Sequence, residues 1–168
     1  MRIYLLGMMG SGKSTVGKKL ANKLSFQFHD LDDLIEAKLS MSIADFFEKE
    51  GEDKFRIIEQ VALRETFLLE NVVISTGGGA PCFFSNISEI NEHGLSCYLE
   101  ADIGLLISRL QGATEQRPLL KNFNTDTELR TYLQNLLSQR EFFYKQAKRI
   151  VPAIDVTANK LARVLGLD

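Results

Sequence analysis

The sequence contains few of the residues from which metal sites and disulfide frameworks are built. It has two cysteines, Cys82 and Cys97, and two histidines, His29 and His93. The cysteines form no C-x-x-C pair, and the histidines complete no set of metal ligands. We therefore expect all four to be ordinary buried or surface residues of a protein that works in a reducing compartment.

An excess of charge of one sign and long apolar runs are also missing. The 20 basic and 22 acidic residues leave a formal net charge of −2, which gives no electrostatic basis for binding nucleic acid or an anionic membrane. No run approaches the roughly 18 apolar residues of a membrane span, and the apolar N-terminus lacks a signal-peptide cleavage pattern. We expect a cytoplasmic protein with one domain over residues 1–168, because a chain of that length that is 45% apolar can build one hydrophobic core.

A phosphate-binding motif stands near the start of the chain. Residues 7–15 read GMMGSGKST and fit the pattern G-x-x-x-x-G-K-[ST]. A short apolar run precedes the motif and apolar residues at a four-residue spacing follow it, which predicts the order strand, loop, helix. Glycines let backbone N–H groups turn toward phosphate oxygens, and the helix offers its positive N-terminal end. The motif predicts that Lys13 reaches the β- and γ-phosphates of a nucleotide and that Ser14 ligates magnesium.

Strand and helix patterns alternate along the chain. Apolar or β-branched runs predict strands at residues 3–6, 26–29, 72–75, 95–99 and 149–153. The alternation predicts an α/β fold, in which a parallel sheet is covered by helices on both faces. The helix that follows Gly51 is expected to face the core with Ile57, Ile58, Val61, Ala62 and Leu68.

Two segments follow predicted strands at the edge where open parallel sheets bind ligands. Residues 30–33 read Asp-Leu-Asp-Asp, and residues 76–79 read Thr-Gly-Gly-Gly. One of the aspartates can serve as a helix cap, and we expect Asp33 to cap a helix that begins at Leu34. The three glycines are expected to let a ligand approach the main chain.

Two arginines and one polar segment are further candidates. Arg56 has Glu59 three residues later, so a surface ion pair and a ligand-binding role both remain open. Arg140 continues a helix face of leucines; an inward arginine needs an anion or a carboxylate, although it can also snorkel at the end of the apolar stripe. Residues 111–124 are polar, carry Arg117 and lack an apolar period, which is typical of an active-site lid.

The phosphate-binding loop alone does not decide the function. A GTPase switch would need the segment N-K-x-D, but Ser25 and Ala162 stand where the aspartate belongs. A small-molecule kinase needs a carboxylate near the acceptor hydroxyl, cations for the acceptor's charge and a lid against water, and this chain offers all three. We favour a kinase, and a nucleotide-binding module without catalysis is the alternative.

The sequence resembles the shikimate kinases over nearly its whole length. The shared segments, in order, are residues 7–15, 30–32, 55–59, 75–79 and 117–120, and Arg140 with Tyr144. The resemblance implies a three-layer P-loop NTPase fold of the nucleoside monophosphate kinase-like type, with a five-stranded parallel sheet in the order 2-3-1-4-5. It also implies transfer of the ATP γ-phosphate to the 3-hydroxyl of shikimate, a step of aromatic amino-acid biosynthesis. Another small-molecule kinase of this fold, such as gluconate kinase, is the alternative.

The same resemblance implies the roles of individual residues. The catalytic residues would be Lys13, Asp32 as the base, and Arg117, which a lid at about 111–124 would bring to the transferring phosphoryl group. Magnesium would bind Ser14 directly and Asp30 through water. The nucleotide would be bound by Gly10, Ser11, Gly12, Lys13, Ser14, Thr15, Arg109, Arg117 and Pro152. Shikimate would be bound by Asp32, Phe47, Phe55, Arg56, Gly77, Gly78, Gly79 and Arg140, with 31–60 as the substrate-binding region. The expected partners are these small molecules alone, bound by a monomer without nucleic acid or membrane.

Overall fold

The central sheet is built from the five apolar runs. The computed structural model describes residues 1–111, 123 and 125–167. Its strands are β1 (Arg2–Leu6), β2 (Gln27–Asp30), β3 (Val72–Ser75), β4 (Leu95–Glu100) and β5 (Arg149–Pro152). Every pair of neighbouring strands is parallel, and the order across the sheet is β2-β3-β1-β4-β5. The predicted fold class and strand order are confirmed.

Helices connect the strands and flank the sheet, as the alternation predicts. A short 3₁₀ turn, Ala80–Cys82, follows β3. The α-helices are α1 (Lys13–Leu24), α2 (Leu31–Leu39), α3 (Ile43–Glu50), α4 (Glu52–Thr66), α5 (Asn86–His93), α6 (Ile103–Gln111), α7 (Asp126–Tyr144) and α8 (Ala158–Leu165).

The core lies along the middle of the sheet. All four residues of β3 are buried, and so is β1 from Ile3 to Leu6. Strands that are covered on both faces read as continuous apolar runs rather than as an alternation, which is why these two strands were readable in the sequence. Their carboxyl ends lead directly into residues 7–12 and 76–79, so the rigid centre of the sheet positions both glycine-rich loops.

The helix after β2 begins three residues earlier than predicted. Asp30 is the N-cap of α2, and its Oδ1 accepts a hydrogen bond from the Asp32 amide at 3.1 Å. The expected cap, Asp33, lies inside the first turn instead. The prediction was wrong because Asp30 has extended backbone angles at the end of the strand, from which its carboxylate reaches the first free amides of the helix.

Helix α4 buries only part of the predicted face: Ala62 is buried and Ile58 is half-buried against the core. The side chains of Ile57 and Val61 are 57% and 52% exposed, and Leu68 lies beyond the end of the helix. The buried stripe is formed by Phe55, Arg56, Glu59, Ala62, Leu63 and Thr66. Apolar periodicity failed here because the inner face of α4 borders the candidate site, where a paired arginine and glutamate take positions that apolar side chains would otherwise fill.

None of the helices described is both long and apolar enough to cross a lipid bilayer.

Candidate active site

The glycine-rich loop after β1 has the backbone geometry of a phosphate cradle. Gly7, Gly10 and Gly12 have φ angles of 138°, 81° and 96°, which residues with a side chain rarely adopt. Helix α1 then begins without a side-chain cap and without an acidic residue in its first turn, whereas α2, α3, α7 and α8 each have a side-chain cap. The first amides of α1 are therefore left to bind an anion.

Lys13 lies against its own loop. Its Nζ donates hydrogen bonds to the carbonyl oxygens of Gly7 at 2.8 Å and Met8 at 3.0 Å, and its side chain is buried. A buried ammonium held by neutral carbonyl oxygens binds a phosphate oxygen strongly, because little water remains to screen its charge.

An oxygen-rich cluster forms where the ends of α1, β2 and β3 meet. The Ser14 hydroxyl donates to Asp30 Oδ2 at 2.7 Å and lies 3.2 Å from the Ser75 hydroxyl. Oxygen-only donors with a single carboxylate suit Mg²⁺, which is usually bound through one or two carboxylates, water and substrate phosphates. In the described part of the chain, no group of three or more His, Cys, Asp or Glu side chains could hold a metal by itself. The cluster therefore fits a magnesium ion that arrives with a nucleotide.

Asp32 is a carboxylate with a perturbed pKa. Burial raises its pKa from 3.8 to about 6, the charges of Asp30 and Glu59 add to the shift, and Lys13 opposes it. The cap at Asp30 holds the Asp32 backbone, and the side chain turns toward Gly77: a Cβ added at Gly77 would lie 2.6 Å from Asp32 Oδ1. A carboxyl group with a pKa near 6 is a suitable proton acceptor near neutral pH.

The triple-glycine loop, residues 77–79, brings three charged side chains together. A Cβ added at Gly78 would lie 3.1 Å from Arg140 Nη1, and one added at Gly79 would lie 2.6 Å from Arg56 Nη1. Together with the approach of Asp32 to Gly77, each glycine meets one of the residues that the sequence marks as substrate-binding. The close approach predicted for a ligand is thus made first by the protein's own side chains.

Arg56 forms a buried ion pair rather than a surface one. Its Nη1 donates to Glu59 Oε2 at 2.8 Å, and its Nε and Nη2 donate to Glu52 Oε1 at 3.1 and 2.7 Å. Arg56 and Glu59 are 7% and 1% exposed, respectively. Burial raises the pKa of Glu59, and the Arg56 charge opposes the shift. Because three of the five guanidinium N–H groups are used, the fork is fixed in direction and can still donate to a ligand.

Aromatic rings surround this guanidinium. Its carbon lies 4.1 Å from the centre of the Phe83 ring and 5.2 and 5.9 Å from those of Phe55 and Phe47. Phe47 and Phe55 pack against each other at 4.6 Å, and Phe55 is the more buried of the two. Sequence reasoning missed Phe83, because it lies in an irregular segment without a period. Glu59 and Glu52 were readable only as helical neighbours of Arg56.

Helix α7 reaches the same loop with its last two turns. Leu129 and Leu133 are buried on the face that leads to Arg140, so the predicted inward direction of that arginine is correct. One turn later, the buried Tyr144 hydroxyl donates to the Gly78 carbonyl oxygen. The arginine therefore approaches the site and does not snorkel toward solvent.

The nucleotide-binding candidates after β4 lie beside the phosphate loop. Arg109 on α6 donates through Nη1 to the Ser11 carbonyl at 2.7 Å and through Nη2 to the Ala153 carbonyl at 2.9 Å. It thereby joins the phosphate loop to the segment that follows β5, directly after Pro152, the last residue of that strand. Gly12 lies under the same guanidinium, since a Cβ there would be 3.2 Å from Arg109 Nη1. Residues 112–122 and 124 lie outside the described residues, and with them Arg117 and the predicted lid.

Comparisons with known proteins agree on one family. A family model described as shikimate kinase matches residues 9–165. The shikimate kinase of Azobacteroides pseudotrichonymphae is 45% identical over 161 residues, which cover 95% of this chain and 94% of the relative.

Solved structures point the same way. The crystal structure of shikimate kinase from Bacteroides thetaiotaomicron superposes with a TM-score of 0.95 at 39% identity and covers 99% of both chains. Shikimate kinase from Acinetobacter baumannii, solved in complex with shikimate, superposes with a TM-score of 0.84 at 36% identity, over 96% of this chain and 88% of the other. A gluconokinase from Sinorhizobium meliloti has a TM-score of 0.65 at 18% identity, which shows a shared fold alone.

Proposed function

The chain belongs to the shikimate kinase family, and from that premise we propose how its residues carry out the reaction. As a shikimate kinase, it transfers the γ-phosphate of ATP to the 3-hydroxyl of shikimate and gives shikimate 3-phosphate and ADP. This step belongs to aromatic amino-acid biosynthesis. The gluconate kinase alternative is not favoured, because the likeness to a gluconokinase is one of fold.

The observation that carries the proposed roles is the convergence of Asp32, Arg140 and Arg56 on the triple-glycine loop. We propose that the two guanidinium groups and the amides of residues 77–79 bind the carboxylate and hydroxyls of shikimate. Planar arginine forks suit a carboxylate better than a lysine does, because they can donate two parallel hydrogen bonds. Phe47 and Phe55 would form the apolar wall of the site, within a substrate-binding region at 31–60.

In the proposed reaction, Asp32 accepts the proton of the attacking hydroxyl. The hydroxyl oxygen forms a bond to the γ-phosphorus, while the bond from that phosphorus to the oxygen it shares with the β-phosphate breaks. The electron pair stays on the bridging oxygen, and ADP leaves. Because the pKa of Asp32 is about 6, its carboxylate is ionised near neutral pH and still basic enough to take the proton.

The phosphate loop would hold ATP through the amides of residues 10–15, with Lys13 turning from its carbonyl partners to the phosphates. Ser14 would ligate magnesium directly, and Asp30 through water, as their 2.7 Å contact allows. When bound, the ion supplies positive charge to the β- and γ-phosphate oxygens. Arg109 and Pro152 would border the adenine.

Arg117 is proposed to meet the transferring phosphoryl group from a lid at 111–124. Its contact should strengthen in the transition state, so Arg117→Ala should lower kcat far more than it raises the KM for shikimate. Arg140→Ala should mainly raise that KM, because Arg140 binds the ground state as well. Equal effects on KM alone from both changes would show that Arg117 is a further substrate clamp.

We further propose that the enzyme works as a cytoplasmic monomer whose partners are its small-molecule substrates, without nucleic acid or membrane. Light scattering of the purified protein, with and without substrates, would reveal a dimer if one forms.

The choice of acceptor is tested by one coupled assay of ADP release over shikimate, gluconate, AMP and CMP. We expect turnover with shikimate and at most about 1% of that rate with the others, because Asp32, Arg56 and Arg140 must be matched together by one acceptor. A preference for another acceptor would overturn the substrate assignment, and ATP binding without turnover of any acceptor would indicate a nucleotide-binding module.

A further inference from the structure

The peptide between Gly78 and Gly79 connects the two arginines of the candidate site. Its Gly78 end lies against Arg140 and its Gly79 end against Arg56, because an added Cβ would lie 3.1 Å from Arg140 Nη1 and 2.6 Å from Arg56 Nη1, respectively. A Cβ at Gly78 would also lie 3.7 Å from the Gly7 carbonyl oxygen, so the same peptide borders the phosphate loop. The orientation of this one peptide plane therefore affects both the two arginines and the neighbouring phosphate loop.

The Tyr144 hydroxyl is hydrogen-bonded to this peptide. It lies 2.5 Å from the Gly78 carbonyl oxygen and 3.7 Å from Met8 Sδ. A hydroxyl donates a single proton, and the closer carbonyl oxygen is the stronger acceptor, so the bond is to Gly78 and the Met8 sulfur is a packing contact. Burial raises the pKa of Tyr144, and the charge of Arg140 and a hydrogen bond with its side chain oppose the shift. The phenol stays protonated and able to donate.

Fixing the carbonyl also fixes the next amide. In a trans peptide, the C=O of one residue and the N–H of the next point in opposite directions. With the Gly78 carbonyl directed at Tyr144, the Gly79 N–H is directed away from α7. No hydrogen bond from the Gly79 amide is found among the described residues, whereas the Gly79 carbonyl accepts from the Cys82 amide at 2.8 Å. Glycine on both sides leaves this peptide free to rotate unless something holds it.

The Tyr144 ring is itself held rigidly. It is fully buried at the end of α7 and packs on Tyr98 of β4, with 5.1 Å between the ring centres. The hydroxyl is therefore anchored to strand β4 of the sheet, and it transmits that rigidity to a loop that has no side chains of its own.

We propose that Tyr144 is a positioning residue, whose hydrogen bond to the Gly78 carbonyl aims the Gly79 amide at the anionic acceptor. This inference rests on the proposed function, because it assumes that the triple-glycine loop binds shikimate. Tyr144 would act on the substrate through the Gly78–Gly79 peptide, and its hydrogen bond with the Arg140 side chain is a second route that the test must separate.

The test compares Tyr144→Phe with Tyr98→Phe. Each change removes one hydroxyl from the same buried ring pair and keeps the ring, and no hydrogen bond from Tyr98 to the triple-glycine loop is found in the described structure. For Tyr144→Phe we expect the KM for shikimate, and the Kd for shikimate measured by calorimetry without ATP, to rise about 10-fold, the cost of one lost hydrogen bond. The kcat and the KM for ATP should change less than about 2-fold. Tyr98→Phe should leave all four quantities within about 2-fold.

Other outcomes overturn the proposal. An unchanged KM in Tyr144→Phe, with or without a lower melting temperature, would make the bond structural only. Equal increases in both variants would assign the effect to ring packing. If Tyr144→Phe no longer raises the Kd for shikimate in an Arg140→Ala background, the effect runs through Arg140 and not through the Gly79 amide. A failure of the wild-type enzyme to phosphorylate shikimate would contradict the proposed function instead, and it is separately visible in the same assay.

Discussion

Two glycine-rich loops border the site, and they use glycine for different physical reasons. In the phosphate loop, residues 7–12, the three glycines all have positive φ angles, which a side chain would strain. In the triple-glycine loop, residues 77–79, no glycine has a positive φ, and Gly79 has φ −86° and ψ −22°, which any residue adopts. What matters there is the missing Cβ, which would lie 2.6 Å from Asp32 or from Arg56.

The difference shows what each loop contributes. The phosphate loop binds with its own backbone, so its conformation is the binding site. The triple-glycine loop provides space, so that side chains from α2, α4 and α7 can meet at one peptide. A side chain added to the phosphate loop should therefore strain its backbone, whereas one added to the triple-glycine loop should displace the neighbouring side chains.

The largest expected effect comes from a substitution that removes the cation of the phosphate loop and leaves the triple-glycine loop intact. Lys13→Met should lower kcat at least about 10³-fold, because the charge that stabilises the transferring phosphoryl group is lost. The Kd for shikimate, measured by calorimetry, should change less than about 3-fold if the two loops act separately. Near-normal turnover would contradict the assignment of Lys13, and a large loss of shikimate affinity would show that the loops are not separable.

The next largest effect concerns the carboxyl group of Asp32, which lies beside Gly77. The pKa of Asp32 is raised from 3.8 to about 6, so between these pH values the folded state keeps a proton that the unfolded state has lost. This group therefore destabilises the fold as pH rises from about 4 to about 6, by up to about 3 kcal/mol at about 1.4 kcal/mol per pKa unit. Asp32→Asn should abolish most turnover and yet raise the free energy of unfolding above pH 6.

Urea unfolding of both proteins between pH 4 and pH 7.5, with a metal chelator present, measures this effect. The stability of the variant should exceed that of the wild type at pH 7 and approach it near pH 4. Parallel pH profiles would mean that the pKa of Asp32 is not raised in the folded protein.

A third change fills the space of the triple-glycine loop. Gly79→Ala places a methyl group against Arg56, which cannot yield easily because Glu59 and Glu52 hold its guanidinium over the Phe83 ring. The KM for shikimate should rise about 10²-fold, or about 2.7 kcal/mol. The KM for ATP should stay unchanged. The free energy of unfolding should fall by about 1–3 kcal/mol, because the methyl group displaces a buried, paired guanidinium even though the backbone angles suit alanine. A loss of stability without a change in KM would contradict the role given to space.

The smallest expected effect comes from a substitution that strains the backbone of the phosphate loop. Gly12→Ala should lower the free energy of unfolding by about 1–2 kcal/mol and raise the KM for ATP about 10-fold, because φ is 96° and Arg109 lies 3.2 Å from the added Cβ. Gly166→Ala is the matched control, since φ is 71° and nothing lies within 4 Å of its added Cβ. It should lose similar stability with no change in kinetics. If Gly12→Ala loses ATP affinity and no stability, crowding at Arg109 would explain this glycine.

Much of the fold and part of the site could be predicted from the sequence. The sheet, its order and the backbone geometry of the phosphate loop were predicted correctly. The inner face of α4 was predicted only in part, because apolar spacing cannot tell that a charged pair is buried; Ala62 is buried, but Ile57 and Val61 are exposed. The sequence showed that Arg56 and Glu59 are three residues apart and can pair, but it did not show that the pair is buried.

The sequence by itself determined the parallel sheet and the phosphate loop, because both are specified by residues that are close along the chain: apolar runs that need burial, and glycines that only certain turns require. The tertiary structure alone decided that Asp32, Arg56 and Arg140 meet at residues 77–79. Their separation depends on how α2, α4 and α7 pack at the carboxyl edge of the sheet, and it is set by contacts between residues far apart in sequence. The same packing fixes the hydrogen bonds from Arg56 to Glu59 and Glu52 and the one from Tyr144 to the Gly78 carbonyl.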